Sequence, residues 1–196
     1  YLENESVYTV REFIKRHQAL VFYICAILFT VVLIAVEIFI SKNQKEKLYF
    51  KFAYKDSLTG AFNRRAYEED MMAFENPKNQ KYVCVSMDLN GLKKVNDDLG
   101  HLAGDELIKN AYILIAEAFG KHGKIYRTGG DEYSAFLKTD EETFGNAKLK
   151  LDELCKAWKG TYSNDLCVSV GAAFSAEAET GVLMDLWKLA DKRMYD

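Results

Sequence analysis

The chain has 196 residues, 49% of them hydrophobic, and a formal charge of −3. That length holds one ordinary domain plus an accessory segment, and the slightly acidic balance gives no electrostatic case for nucleic-acid binding. The four cysteines, Cys25, Cys84, Cys155 and Cys167, form no C-x-x-C pair, so packing rather than disulfide or metal chemistry is their expected role.

Residues 1–18 open with Tyr1 rather than Met and read as the tail of an upstream, sensor-like region. Residues 19–40, Ala19 to Ile40, are apolar throughout except for Thr30, the near-neutral Tyr23 and Cys25, and Glu37. A helix rises about 1.5 Å per residue, so a run of this length spans the roughly 30 Å hydrocarbon core of a bilayer. Helices buried in a soluble core rarely stay apolar on every face for so long. The run is also too long for a signal peptide and has no small-residue cleavage site after it. Arg11, Lys15 and Arg16 precede it; Lys42, Lys45, Lys47, Lys51 and Lys55 follow. The larger number of basic residues after the span favours the C-terminal side in the cytoplasm. Residues 41–55 contain neither Gly nor Pro, so the helix is expected to run on as a stalk. Leu48, Tyr49 and Phe52 form a narrow seam there, which fits either the start of a dimeric coiled coil or a plain juxtamembrane linker.

Residues 56–196 have the alternating signals of an α/β domain. Pro77, the only proline, marks a loop at 75–79. Tyr82 to Met87 is a short apolar run, as expected for a central strand covered on both faces. Leu107, Ala111, Leu114, Ile115 and Ala118 mark one face of a helix over 102–119. Lys124 to Thr128 and Tyr133 to Lys138 flank Gly129-Gly130-Asp131-Glu132, a hairpin signal because tight turns favour positive φ. Glu141 to Lys159 reads as a helix, Cys167 to Phe174 as a strand and Val182 to Tyr195 as a closing helix. The expected architecture is one mixed or antiparallel sheet packed by helices and preceded by one membrane helix.

Chemistry concentrates at two places. Asp88 falls where the apolar strand runs out, and Asp131 and Glu132 occupy the hairpin turn. If the hairpin pairs beside that strand, three carboxylates converge on one sheet edge, an oxygen-only set suited to Mg²⁺ and in-line attack at phosphorus. Each acid alone reads equally as a solvated strand end or polar turn. Between Asp88 and Asp105 the chain is dense in Asn, Asp and Gly. Asn and carboxylate side chains together can read a guanine edge, although Asp105 alone also suits the first turn of a helix and His101 a helix start.

Five ordered motifs resemble the GGDEF-domain diguanylate cyclases. Asp56 to Arg65 is similar to their D-x-L-T-x-x-x-N-R-R opening, and Asp88 to Asp105 to their D-x-x-x-[FL]-K-x-x-N-D-x-x-G-H-x-x-G-D signature. Arg127 to Tyr133 resembles the R-x-G-G-[DE]-E-F hairpin, Ser169 to Ala173 the S-[IV]-G-x-A strand, and Ala190 to Tyr195 the closing A-D-x-A-[LM]-Y helix. The resemblance implies a palm-like nucleotidyl cyclase fold that condenses two GTP into cyclic di-GMP and pyrophosphate, one GTP per subunit of a homodimer. It implies Mg²⁺, with Mn²⁺ as the alternative ion, held by Asp88, Asp131 and the backbone carbonyl of Leu89. Asn96 and Asp105 would read guanine, with His101, Leu92, Gly129 and Gly130 also contacting GTP. Asp131 or Glu132 would help deprotonate the 3′-hydroxyl, and Lys93 and Arg127 would face phosphates.

The sequence departs from the family pattern in four ways. Tyr133 replaces the usual Phe, Arg193 stands where a small residue is common, and the chain stops at Asp196, before the basic residues that follow the closing tyrosine. The family's product-inhibition element, R-x-x-D, begins nine residues before the first hairpin glycine, and Gly120 and Gly123 occupy its ends here. The alternative expectation is a catalytically inactive GGDEF-like module that binds GTP for signalling.

Overall fold

The computed structural model describes residues 10–74, 81–177 and 183–196. Two compact units divide the chain, Tyr1–Tyr49 and Phe50–Asp196.

In the first unit α1 (Val10–Arg16) is followed by α2 (Gln18–Tyr54), whose last turns belong to the second unit. The His17 N–H donates to Phe13 O and its carbonyl accepts from Val21, so the backbone ladder barely pauses between the helices. α2 runs without interruption through the apolar block and the polar stalk, as the absence of Gly and Pro predicts. None of its residues is buried. It is long and apolar enough to cross a membrane.

In the second unit the sheet order is β1-β3-β4-β2-β5, with β1 (Phe62–Asn63), β2 (Val83–Leu89), β3 (Gly123–Arg127), β4 (Glu132–Leu137) and β5 (Val168–Phe174). β1 pairs parallel with β3, and the other pairings are antiparallel. β2 lies inside the sheet, and its side chains alternate between two cores. Val83, Val85, Met87 and Leu89 face the larger core with Leu107, Ala111, Ile115 and Phe119 of α5 (His101–Phe119) and Leu151 of α6 (Glu141–Ala157). Tyr82 and Cys84 face the smaller core with Leu186 and Ala190 of α7 (Leu183–Tyr195). Burial raises the Cys84 thiol to about 12, consistent with an inert packing residue. Ser86 and Asp88 continue that second face toward the end of the strand, where apolar cover runs out.

Two helices differ from expectation. α3 (Arg64–Met72) buries only Ala66, so apolar periodicity gives no sign of it. It is started by Asn63, whose side chain accepts from the Ala66 N–H, and is laced by the Arg64–Glu68 and Arg65–Glu69 pairs. The polar segment after β2 holds α4 (Leu92–Leu99), separated from α5 by Gly100 at φ +85°. The expected loop at Pro77 and the start of the closing helix at Val182 lie outside the described residues.

Candidate active site

Antiparallel register sets the site. Asp88 stands opposite Glu132 of β4 and Ser169 of β5, and the Leu89 N–H donates to Asp131 O at 3.0 Å. The strand end and the hairpin turn are therefore fastened together by backbone, independent of any side chain. Asp88 is half-buried, and its carboxyl is pushed up first by burial and then by the charges of Asp131 and Glu132. The shift is first a desolvation effect, to which the two neighbouring acids add.

The three acids do not form a closed cage. Among the described residues no three His, Cys, Asp or Glu side chains stand close enough to hold a metal ion. The Glu132 carboxylate folds back over the turn against Gly129, where a Cβ would meet Glu132 Oε2. The turn runs from Thr128 to Asp131, and the N–H groups of Thr128 and Gly129 both donate to Glu132 O. Contrary to expectation, neither Gly129 nor Gly130 has positive φ. A Cβ on Gly129 would meet the flexible end of the Glu132 side chain, and open space lies where Gly130 would carry one.

Arg127 is expected to face phosphate, but both edges of its guanidinium are engaged within the protein. Nη1 donates to Asp56 Oδ1 at 3.0 Å, and Nε and Nη2 donate to Gly130 O at 3.2 and 2.7 Å. The arginine thus fixes the carbonyl side of the turn and is itself fixed by an acid from the first motif. Burial alone would raise the Asp56 carboxyl. Hydrogen bonds from the Thr59 hydroxyl and N–H, together with Arg127, hold it below its ordinary value instead.

α4 and α5 carry the remaining residues. Gly91, at φ +76°, turns the chain from Asn90 into α4, a conformation that other residues enter with strain. Leu92 is buried and packs in the larger core. Lys93 and His101 are exposed. Asn96 and Asp105 are half-buried, and neither side chain has a hydrogen-bond partner among the described residues. Gly104 seats Asn96, since a Cβ there would collide with the Asn96 amide. Two polar side chains able to read a base edge are thus held beside a tight helix–helix junction with their bonding capacity open.

Three residues near the site are missed by local sequence reasoning. The Asn90 N–H donates to Cys167 O at 2.9 Å, and its side-chain amide donates to Ser169 Oγ at 3.0 Å and Cys167 Sγ at 3.3 Å. This bolts the turn after Leu89 to the start of β5. Asp191 of α7 accepts from Ser86 Oγ at 3.2 Å. Tyr195, one turn later, is exposed, and its phenol is raised by partial desolvation and by the charges of Asp191, Asp88, Glu132 and Asp131. Two of the departures in sequence have partners in the fold: Tyr133 is fully buried and its hydroxyl donates to Ile108 O at 2.8 Å, while Arg193 bonds Glu177 at 2.7 Å and Ala172 O at 2.8 Å.

Residues 53–196 match the family "Diguanylate cyclase, GGDEF domain". The chain is 36% identical over 163 residues, 81% of its length, to the probable diguanylate cyclase DgcI of Escherichia coli K12, and 27% identical over 143 residues, 71% of its length, to the diguanylate cyclase DgcS of Shewanella oneidensis. It spans 34% of the former and 48% of the latter. The crystal structure of the coiled coil and GGDEF domain of DgcB from Caulobacter crescentus, in complex with c-di-GMP, superposes with a TM-score of 0.70, covering 87% of this chain and 93% of that one at 19% identity. The fold, the ordered motifs and the matched span agree: this chain belongs to the GGDEF family of diguanylate cyclase domains.

Proposed function

We propose that residues 56–196 condense two GTP molecules into cyclic di-GMP and pyrophosphate, acting as a homodimer in which each subunit presents one GTP to the other. The observation that carries this reading is the fastening of the Asp88 strand end to Asp131 by the Leu89 N–H bond to Asp131 O, while Asn96 and Asp105 at the α4–α5 junction keep open hydrogen-bonding capacity. The donors there are all oxygen, and a divalent cation offsets the desolvation and neighbouring charge that raise the Asp88 carboxyl, so the site suits a hard metal such as Mg²⁺. Asp88, Asp131 and the Leu89 carbonyl would hold it, and when bound it neutralises phosphate charge and polarises the attacked phosphorus.

The protein's own contribution is positioning. Asn96 and Asp105 fix the base, and the glycine turn lets the α-phosphate approach the hairpin backbone. Lys93, exposed on the first turn of α4, is a cation for the phosphates, whereas Arg127 acts through the turn it holds. Asp131 or Glu132 accepts the proton of the attacking 3′-hydroxyl as it approaches the second subunit's α-phosphate. Holding two reacting groups in line supplies much of what phosphoryl transfer requires. We further propose that residues 19–40 cross the bacterial inner membrane and that 41–55 connect this span to a cytoplasmic domain. The inactive-module alternative loses ground because the hairpin acids and the base-reading pair are both retained.

The test is to incubate the purified chain in lipid nanodiscs with GTP and Mg²⁺ and measure cyclic di-GMP. Product that disappears in Asp131→Asn supports the reading; GTP binding without any product supports the inactive module.

A further inference from the structure

Asn90 stands between the end of β2 and the start of α4 and is exposed. An Asn beside a helix start ordinarily caps it, yet Gly91 is the N-cap of α4 and no side chain caps that helix. The Asn90 amide is turned to the start of β5 instead. Its Nδ2 donates to Ser169 Oγ at 3.0 Å and to Cys167 Sγ at 3.3 Å, and its Oδ1 accepts from the Ser169 hydroxyl at 3.1 Å. The backbone N–H of the same residue donates to Cys167 O at 2.9 Å. Side chain and main chain thus grip one short stretch, residues 167–169. Ser169 in turn stands opposite Asp88 in the register.

The consequence falls on the preceding carbonyl. The peptide joining Leu89 to Asn90 is trans, and the C=O and N–H of a trans peptide point in opposite directions. An Asn90 N–H held on Cys167 O therefore turns the Leu89 carbonyl away from β5. It faces the side on which the Leu89 N–H meets Asp131 O at 3.0 Å. Gly91 follows at once, at φ +76°, so the chain beyond Asn90 bends sharply and does not itself hold this peptide as part of a strand. We propose that Asn90, with Ser169 as its partner, is a positioning residue that locks the 89–90 peptide plane and keeps the Leu89 carbonyl aimed at the cation site of Asp88 and Asp131. The inference rests on the reading above that these three groups hold a divalent cation. Groups that orient a ligand atom without touching the metal are worth about tenfold to a hundredfold in metal affinity.

Mn²⁺ binding followed by electron paramagnetic resonance tests this, on the full chain in lipid nanodiscs with 3′-deoxy-GTP, which lacks the attacking hydroxyl and does not turn over. Asn90→Ala and Ser169→Ala are each expected to weaken Mn²⁺ binding about tenfold. Ser169→Thr, which keeps the hydroxyl, is expected to bind as wild type. The double variant is expected to bind no more weakly than Asn90→Ala, because two residues acting as one device are not additive. A purely structural Asn90 predicts a lower melting temperature with unmoved Mn²⁺ affinity, and that result overturns the proposal. So do unmoved affinity in Ser169→Ala, a loss in Ser169→Thr equal to that in Ser169→Ala, additive losses in the double variant, or wild-type binding no tighter than that of Asp88→Asn. Turnover of GTP, measured separately, distinguishes the two readings. A wild type that makes no cyclic di-GMP while the Mn²⁺ pattern holds overturns the cyclase reading alone; product made by a wild type whose two alanine variants bind Mn²⁺ unchanged overturns this proposal alone.

Discussion

Arg127 and Asp56, from two motifs far apart in the sequence, form an ion pair at 3.0 Å that is largely shielded from solvent. Through the same guanidinium the pair holds the carbonyl of Gly130, so an acid just past the end of α2 sets one wall of the glycine turn. The pair is a mechanical connection between the start of the domain and its candidate reaction centre.

Removing Asp56 leaves a shielded guanidinium with one partner fewer. Asp56→Ala is expected to destabilise the domain by about 1.5–3 kcal/mol, the range for hydrogen bonds to charged groups, and to lower turnover without altering base preference. The pH dependence has a definite sign. The Asp56 carboxyl is held below its ordinary value in the fold, so its contribution is fully present above the unfolded value near 3.9 and is lost as pH falls through the lower folded value. Melting temperatures of wild type and Asp56→Asn are expected to converge in that acidic window. A constant gap down to pH 2 would show that the ionised carboxylate is not what the pair contributes.

Asp88→Asn and Asp131→Asn are each expected to remove cyclic di-GMP synthesis and leave the domain folded. Burial and two neighbouring acids already penalise the Asp88 charge, so Asp88→Asn melts at or above wild type in EDTA. EDTA is also expected to stop wild-type turnover, and Mg²⁺ to restore it. Full turnover in either variant, or in EDTA, would remove the acids from the mechanism.

Local pattern reached further into the fold than into the site. The apolar run of β2, the glycine hairpin and the face of α5 are short-range signals and were legible as such. α3 was not, because its information lies in the Asn63 cap and two exposed ion pairs rather than in burial. The break between α4 and α5 was hidden because a polar segment with one glycine reads equally as loop. Within the site, Asp88 and Asp131 stand out by position, at a strand end and in a hairpin turn, whereas the base-reading roles of Asn96 and Asp105 are fixed by motif resemblance. The engagement of Arg127 by Asp56, the bolt from Asn90 to β5 and the approach of Tyr195 depend on which strands and helices become neighbours, which no local periodicity encodes.

Regulation by product is expected to be absent at the family's inhibitory element. Gly120 and Gly123 replace its Arg and Asp, and a Cβ on Gly123 would collide with the Phe136 carbonyl across the hairpin. Micromolar cyclic di-GMP is therefore expected to leave initial rates unchanged. Gly123→Asp, rather than restoring inhibition, is expected to destabilise the domain by about 1–3 kcal/mol through overpacking. Noncompetitive inhibition of the wild type would point to another product site.

Base selection gives the sharpest test of the α4–α5 junction. Asp105 and Asn96 are half-buried with open hydrogen-bonding capacity, and guanine presents donors that adenine lacks. A site whose polar groups would be left unpaired rejects the wrong base strongly, so GTP is expected to exceed ATP in kcat/KM by roughly a hundredfold or more, a few kcal/mol. Asp105→Ala is expected to erode that ratio. Gly104→Ala, which leaves both polar residues in place but drives a methyl group into the Asn96 amide, is expected to erode it as well, chiefly by raising KM for GTP. A purely structural Asp105, worth only about 0.3–1 kcal/mol at the start of α5, predicts a slightly lower melting temperature and an unmoved ratio. Measuring GTP and ATP turnover for wild type, Asp105→Ala, Gly104→Ala and Asp56→Ala separates these outcomes. The first two variants shift the ratio and Asp56→Ala does not; a ratio constant across all four would mean that the junction does not read the base.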